Sequence, residues 1–103
     1  MSQWRAVCKF EEIPRRRARV LQTTDIHIAV FRTDDDRLFA IENRCPHRGA
    51  PLSSGLLYDG DKVACLDHGW SVCLGDGKVV APETGYVRTF DVKIEDGVVY
   101  VAA

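Results

Sequence analysis

Long apolar runs are missing from this sequence. No hydrophobic stretch approaches the ~20 residues that a helix needs to cross a bilayer. The amino-terminal Met1-Ser2-Gln3-Trp4-Arg5 leads straight into strand-like sequence, without an apolar signal region. We therefore expect a cytoplasmic protein that works without a membrane.

The sequence also lacks an excess of charge of either sign. Its 14 Lys and Arg residues are balanced by 15 Asp and Glu residues, which gives a formal net charge of −1. Because nucleic-acid-binding domains usually carry a basic excess, we expect no nucleic-acid partner. Internal repeats and low-complexity segments are absent too, and 103 residues with 46% hydrophobic content are typical of one domain, 1–103.

A sustained helical period is the third absence. Glu11-Glu12-Ile13-Pro14 allows at most one helical turn before the proline ends it. Short segments rich in β-branched residues, such as Ile26–Phe31, predict strands instead. The dipeptide Asp-Gly supplies positive φ for tight hairpin turns, and it occurs three times, at Asp59-Gly60, Asp76-Gly77 and Asp96-Gly97. The sequence therefore predicts an all-β, mostly antiparallel fold.

Two further segments carry structural predictions. Phe90–Glu95 alternates cleanly, which predicts one strand with Phe90, Val92 and Ile94 on one face. The run Arg15–Arg19 is expected on a loop, either as a solvated surface or as a docking patch for an acidic partner.

The cysteines and histidines concentrate in two short stretches. Cys45-Pro46-His47-Arg48-Gly49 and Cys65-Leu66-Asp67-His68-Gly69-Trp70 each bring one thiol and one imidazole close together. A thiolate is a soft, charged ligand and an imidazole a borderline, neutral one. A [2Fe–2S] centre in which two histidines replace two cysteines on one iron needs this combination. Four metal ligands are therefore predicted, namely Cys45, His47, Cys65 and His68.

Two other interpretations of these stretches are open. A zinc module is one, although structural zinc sites usually pair like ligands, Cys with Cys and His with His. A disulfide between Cys45 and Cys65 is the other. The remaining Cys8 and Cys73 are interpreted as small buried hydrophobes, and His27, which has no neighbouring cysteine, as a non-ligand.

The spacing C-x-H…C-x₂-H followed by Gly resembles the Rieske family. The stretch Cys45–Ser53 is similar to its soluble, ferredoxin-type members. The resemblance implies that Cys45 and Cys65 bind a buried iron and that His47 and His68 bind an exposed one. It also implies a β sandwich or barrel base that carries a cluster-binding subdomain at about 44–82, with two hairpin loops side by side.

Several neighbouring residues are predicted to form a shell around the cluster. Glycines let backbone amides approach the sulfurs, and apolar side chains exclude water from them. Ala81–Gly85 resembles the third, proline-bearing loop of the family. Ordinary turn and core packing is the alternative interpretation of several of these positions. The predicted shell consists of Pro46, Gly49, Pro51, Leu52, Gly69, Trp70 and Pro82.

The chain departs from the high-potential Rieske pattern. Those proteins have disulfide-forming cysteines at the positions of Ala50 and Asp67, and a serine and a tyrosine at those of Trp70 and Val72. Fewer hydrogen bonds to sulfur stabilise the reduced state less. The resemblance therefore implies a potential toward the low end of the Rieske range, about −150 mV.

One subgroup of the family resembles almost the whole chain. The subgroup is the small subunit of assimilatory NAD(P)H-dependent nitrite reductase, which accompanies a large flavin and siroheme subunit that reduces nitrite to ammonium. The resemblance implies one-electron transfer with no substrate-converting site on this chain. A ferredoxin that feeds a ring-hydroxylating dioxygenase and a non-redox zinc-binding interaction module are the alternatives. The segments that carry the resemblance are Ile28–Thr33, Asp36–Ile41, Cys65–Trp70 and Glu83–Phe90.

Overall fold

The computed structural model describes residues 3–46, 49–66 and 69–103. These residues form short strands and two single 3₁₀ turns, Phe10–Glu12 and Leu52–Ser54. No helix in the described ranges is long and apolar enough to cross a membrane. The strands are β1 Trp4–Lys9, β2 Arg17–Gln22, β3 His27–Arg32, β4 Leu38–Glu42, β5 Leu56–Tyr58, β6 Lys62–Ala64, β7 Ser71–Cys73, β8 Thr89–Phe90, β9 Val92–Glu95 and β10 Val98–Ala102.

The strands pair into three antiparallel sheets. The first sheet has the order β1-β10-β9, the middle sheet β2-β3-β4-β8 and the third sheet β5-β6-β7. Every pairing within them is antiparallel. The all-β prediction is confirmed, and so is the single helical turn before Pro14.

The middle sheet separates two hydrophobic cores. Along β3, Ile28 and Val30 belong to one core, and Ala29 and Phe31 belong to the other. Since successive side chains of a strand point to opposite faces, β3 is buried on both sides. The core shared with the first sheet also contains Ile13, Ala40, Val99 and Val101. The core shared with the third sheet also contains Ile41, Cys45, Leu52, Leu57, Val63, Cys65, Val72, Leu74 and Val87.

The Asp-Gly dipeptides form turns as predicted. Asp96 and Gly97 join β9 to β10 with φ of 51° and 76°, the left-handed pair that a two-residue hairpin turn requires. Asp59 and Gly60, with φ of 49° and 81°, lie in the turn between β5 and β6. At the third site only Gly77 has a positive φ, of 75°.

The prediction of one continuous strand over Phe90–Glu95 is wrong. β8 ends at Phe90 and pairs with β4 in the middle sheet, whereas β9 begins at Val92 and pairs with β10 in the first sheet. The chain changes sheets at Asp91, yet Phe90 and Val92 pack against the same core, as the alternation predicts. Ile94, the third residue of the predicted face, is instead 47% exposed.

The basic run does not lie on a single loop as predicted. Its last three residues, Arg17–Arg19, belong to the edge strand β2. Arg15 makes a bidentate ion pair with Asp36, at 2.8 and 2.9 Å. Arg16 donates a hydrogen bond to the Leu57 carbonyl at 3.0 Å and so ties the middle sheet to the third. The Arg15 and Arg16 guanidinium groups therefore have separate structural partners.

Gly55 lies where the second 3₁₀ turn packs against β6. A Cβ at this position would lie 2.4 Å from the Ala64 carbonyl oxygen and 2.8 Å from Val63 Cγ2. We expect Gly55→Ala to lower the free energy of unfolding by about 1–3 kcal/mol, because neither backbone nor core can yield freely. Gly75→Ala is the control, since its Cβ would meet only Phe39 at 4.0 Å. Urea unfolding of both variants checks this, and equal stabilities would contradict the packing.

Asp36 is expected to make stability depend on pH. Hydrogen bonds from Arg15 and Arg32 hold the pKa of its carboxyl group well below the usual range. Because the pKa is lowered on folding, this stabilisation is complete above the unfolded pKa of about 4 and is lost as the pH falls through the folded pKa. The melting-temperature difference between wild type and Asp36→Asn should shrink as the pH is lowered from 6 to 2. Asn tolerates the local φ of 65°, so a pH-independent difference would contradict this account.

Candidate metal centre

The two Cys-His stretches are closed by the same hydrogen bond. The Cys45 N–H donates to the Ala50 carbonyl at 2.8 Å, and the Cys65 N–H donates to the Trp70 carbonyl at 2.6 Å. In both cases the cysteine bonds to the residue five positions further along. Two stretches with different sequences thus form loops with the same closure, each with a cysteine at its base.

A left-handed glycine precedes the end of each loop. Gly49 has φ of 76° and Gly69 has φ of 70°, a conformation that costs other residues roughly 1–2 kcal/mol. A Cβ on Gly49 would also lie 3.3 Å from Arg44 Nε, whereas one on Gly69 would meet no atom of the described residues within 4 Å. In the second loop, the positive φ by itself explains the glycine. In the first loop, the glycine also leaves space for the Arg44 side chain.

Both cysteines of these loops point their thiols into the protein interior. Cys45 is 1% exposed and Cys65 is 2% exposed, and both belong to the core beneath the third sheet. No disulfide joins any of the four cysteines, all of which the structure describes. The interpretation of Cys45 and Cys65 as a disulfide is therefore wrong.

The two predicted histidine ligands, His47 and His68, lie outside the described residues. Their role as ligands stays a prediction. Among residues 3–46, 49–66 and 69–103, no group of three or more Cys, His, Asp or Glu side chains is placed to hold a metal ion. The third histidine, His27, lies on β3 with its Nε2 3.2 Å from Gln22 Nε2.

The first loop is not a hairpin loop, contrary to the prediction. It leaves β4 in the middle sheet and enters the 3₁₀ turn before β5, which belongs to the third sheet. The second loop is a hairpin loop, since it connects β6 to β7 and Ala64 pairs with Ser71 at its base. The sequence hid this difference because both loops follow a strand-like segment.

A side chain that the sequence analysis did not single out closes the first loop. Asn43 Oδ1 accepts a hydrogen bond from the Ser53 N–H at 2.7 Å. The Asn43 N–H donates to the His27 carbonyl of β3 at 2.8 Å. Asparagine side chains often bond to nearby backbone, and this is the only asparagine in the chain, two residues before Cys45. Its place next to the first Cys-His stretch is the sequence feature that could have pointed to this role.

The predicted third loop contacts the first. Residues 80–84 are flanked by Val79 and Gly85, which are joined by a hydrogen bond from the Val79 N–H to the Gly85 carbonyl at 3.0 Å. A Cβ on Gly85 would lie 3.7 Å from Pro46 Cβ. Pro82 is exposed within this loop. The loop therefore lies against the residue that follows Cys45.

The other predicted shell residues differ in burial. Leu52 is fully buried in the core that contains both cysteines, and the half-buried Trp70 packs against this core. Pro46 and Pro51 are exposed. Leu52 and Trp70 thus provide an apolar wall near the loop bases, while the prolines lie at the surface.

The described residues match the thiolate half of an iron–sulfur site, namely two of its four ligands. Two buried thiols lie at the bases of two loops with identical closures, in a core whose apolar side chains keep water away. Thiolate ligands suit iron–sulfur clusters, and an apolar surrounding with nearby backbone N–H groups tunes them. Each loop carries one histidine in its sequence, so the donor set matches two thiolates and two imidazoles.

Comparisons with known proteins agree with this donor set. The model of the Rieske [2Fe-2S] domain matches residues 3–91. The 3-phenylpropionate/cinnamic acid dioxygenase ferredoxin subunit of Photorhabdus laumondii is 38% identical over 96 residues, which are 92% of this chain and 90% of that protein. Several other curated relatives are longer, and this chain spans only 18–22% of their length.

Two solved structures superpose on the chain from end to end. The structure of the Escherichia coli protein NirD has a TM-score of 0.86 at 30% identity and covers 100% of this chain and 98% of its own. A structure described as the NADH-dependent nitrite reductase small subunit of Mycobacterium tuberculosis has a TM-score of 0.91 at 24% identity. That overlay covers 100% of this chain and 96% of the other.

The domain match, the relatives and the paired cysteine loops lead to one conclusion about the family. The chain belongs to the Rieske [2Fe-2S] family, with a Rieske-type cluster as its cofactor and electron transfer as its chemistry.

Proposed function

We propose that this chain is the electron-transferring small subunit of an NAD(P)H-dependent nitrite reductase, which reduces nitrite to ammonium. Support comes from four segments, spread from the middle sheet to the third loop, whose sequences resemble those of such small subunits. The end-to-end overlay with the Mycobacterium tuberculosis structure is compatible with this assignment at the level of the fold. The partner is then a large subunit with flavin and siroheme, and the complex works in the cytoplasm.

Four side chains of the two loops hold the cluster in this proposal. The buried Cys45 and Cys65 bind the inner iron, and His47 and His68 bind the outer iron. When bound, a Rieske cluster accepts and releases one electron at a time. The two buried thiols fix the inner side in the apolar core, so the outer side is the one that the loop residues present to a partner.

The surface near the loops suits protein contact. Leu66, directly after Cys65, is 64% exposed, and Tyr86, directly after the third loop, is 75% exposed. Exposed apolar side chains of this kind are enriched where protein partners bind. These two residues are proposed to contact the large subunit beside the cluster.

A ferredoxin that supplies electrons to a ring-hydroxylating dioxygenase is the second candidate. The 38% identity with the dioxygenase ferredoxin subunit of Photorhabdus laumondii favours it. Both candidates use the same cluster and differ in the partner. A low potential of about −150 mV suits both and argues against quinol oxidation.

Serine substitutions test the cysteine ligands. Cys45→Ser and Cys65→Ser should each abolish the visible absorption and the bound iron of the purified chain, because serine replaces a soft thiolate with a hard, weakly acidic oxygen. Cys73→Ser and Cys8→Ser are the matched controls and should retain both. Iron and acid-labile sulfide per chain are the measurements, and iron retained without either loop cysteine would contradict the ligand set.

Alanine substitutions extend the test to the histidines. His47→Ala and His68→Ala should lose the cluster or its spectrum of histidine ligation, while His27→Ala keeps both. Zinc in place of iron in the native protein would favour the non-redox interaction module instead.

Reconstitution with partners tests the pathway. Addition of the cluster-loaded chain to the siroheme subunit from native cells should restore nitrite-dependent oxidation of NADH. The cluster-free Cys65→Ser chain is the control and should restore none. Ammonium formed per NADH consumed is the second measurement.

The dioxygenase alternative predicts a different result. The chain would leave nitrite-dependent NADH oxidation unchanged and would instead be needed for product formation by a reductase and a terminal oxygenase. That outcome would overturn the nitrite reductase assignment without touching the family or the cofactor.

A further inference from the structure

The two cluster loops are anchored in different ways. The second loop begins and ends in one antiparallel ladder, because β6 and β7 pair from Lys62 and Cys73 to Ala64 and Ser71. The first loop has no such ladder at its base, since β4 and β5 belong to different sheets. A loop that connects two sheets needs another contact to fix the distance between its ends.

Asn43 makes that contact. Its side-chain Oδ1 accepts the Ser53 N–H at 2.7 Å, so one amide joins the residues before and after the loop. Its backbone N–H donates to the His27 carbonyl at 2.8 Å, which attaches the same residue to β3. The donor, the Ser53 N–H, lies in the 3₁₀ turn that contains the fully buried Leu52. The middle sheet, the loop and the core beneath the third sheet thus meet at one residue.

We propose that Asn43 is a positioning residue, which holds the first loop in the geometry that its ligands need and so retains the cluster. It acts through Cys45, two residues further on, whose own N–H closes the inner part of the loop on Ala50. At the far end of the loop, the 3₁₀ turn also packs against β2 and β3, with Leu52 in the core that contains Ala29 and Phe31, and the Asn43 hydrogen bond adds a directional tie to that packing. The proposal depends on the cluster and is independent of the partner.

The test measures how fast the cluster is lost. Wild-type protein and the variants Asn43→Ala and Asn43→Asp are mixed with excess iron chelator, and the decay of the visible absorption is followed. Asn43→Ala should lose its cluster about 10-fold faster than wild type, the lower end of the effect of removing a group that supports a metal site from outside its ligands. Asn43→Asp keeps an oxygen acceptor for the Ser53 N–H, so it should stay close to the wild-type rate.

Gly97→Ala is the control for general destabilisation. Gly97 lies in the turn between β9 and β10 with φ of 76°, and a Cβ there would meet nothing within 4 Å. The substitution strains the backbone far along the chain from the loop. It should lower the melting temperature while leaving the rate of cluster loss unchanged at temperatures where the variant is folded.

A spectroscopic measurement separates positioning from stability. The electron paramagnetic resonance g values of the dithionite-reduced cluster should shift in Asn43→Ala and match wild type in Gly97→Ala. If Asn43→Ala does not accumulate, Asn43→Ser replaces it, because its hydroxyl oxygen is one bond too short to reach Ser53. Its cluster should be lost faster than that of Asn43→Asp.

Three results would overturn the proposal. The first is an equal rate of cluster loss in wild type and Asn43→Ala. The second, where Asn43→Ser replaces Asn43→Ala, is an equal rate in Asn43→Ser and Asn43→Asp. The third is a rate in Gly97→Ala as fast as that in the Asn43 variant. Failure of the partner assay would leave this test intact, because it follows only the chain and its cofactor. A wild-type chain without iron would instead contradict the cofactor itself.

Discussion

The burial of β3 on both faces is the constraint on which the rest of this structure depends. Ile28 and Val30 fill one core and Ala29 and Phe31 fill the other, all four almost inaccessible to water. Full burial of a large apolar side chain stabilises a fold by roughly 1.5–3 kcal/mol, so one strand holds the first and third sheets on opposite sides of the middle sheet. The loops with Cys45 and Cys65 belong to one of these sides, and their thiols reach the interior because that core lies directly beneath them.

The site combines two loops that look alike locally and differ in their support. Each loop is closed from a cysteine to the residue five positions on, and each has a left-handed glycine before its end. The ends of the second loop are held by the ladder between β6 and β7, whereas the first loop connects two sheets and its ends are joined by Asn43. Local hydrogen bonding therefore sets the shape of each loop, and tertiary packing sets where the two loops stand.

The basic run illustrates why contacts between residues that are distant in sequence escape a local pattern. The run Arg15–Arg19 was expected on one loop, yet its last three residues belong to β2, Arg15 pairs with Asp36 and Arg16 bonds to the Leu57 carbonyl. The partners lie 21 and 41 residues away in sequence, so no local pattern reveals them. The same reason explains the error over Phe90–Glu95, where strict alternation hid a change of sheet at Asp91. Alternation indicates which side chains share a face, and Phe90 and Val92 do pack against one core, but it does not indicate which sheet each segment joins.

The sequence by itself determined the β class, the Asp-Gly turns and the two cysteine-histidine stretches, because strand propensity, positive φ and ligand chemistry are properties of adjacent residues. It also indicated the glycines of both loops. Only the tertiary structure decided that Cys45 and Cys65 share one core, that the third loop touches Pro46 and that Asn43 joins the ends of the first loop. These contacts link residues that lie far apart along the chain or in different sheets, and they form only when the sheets pack together.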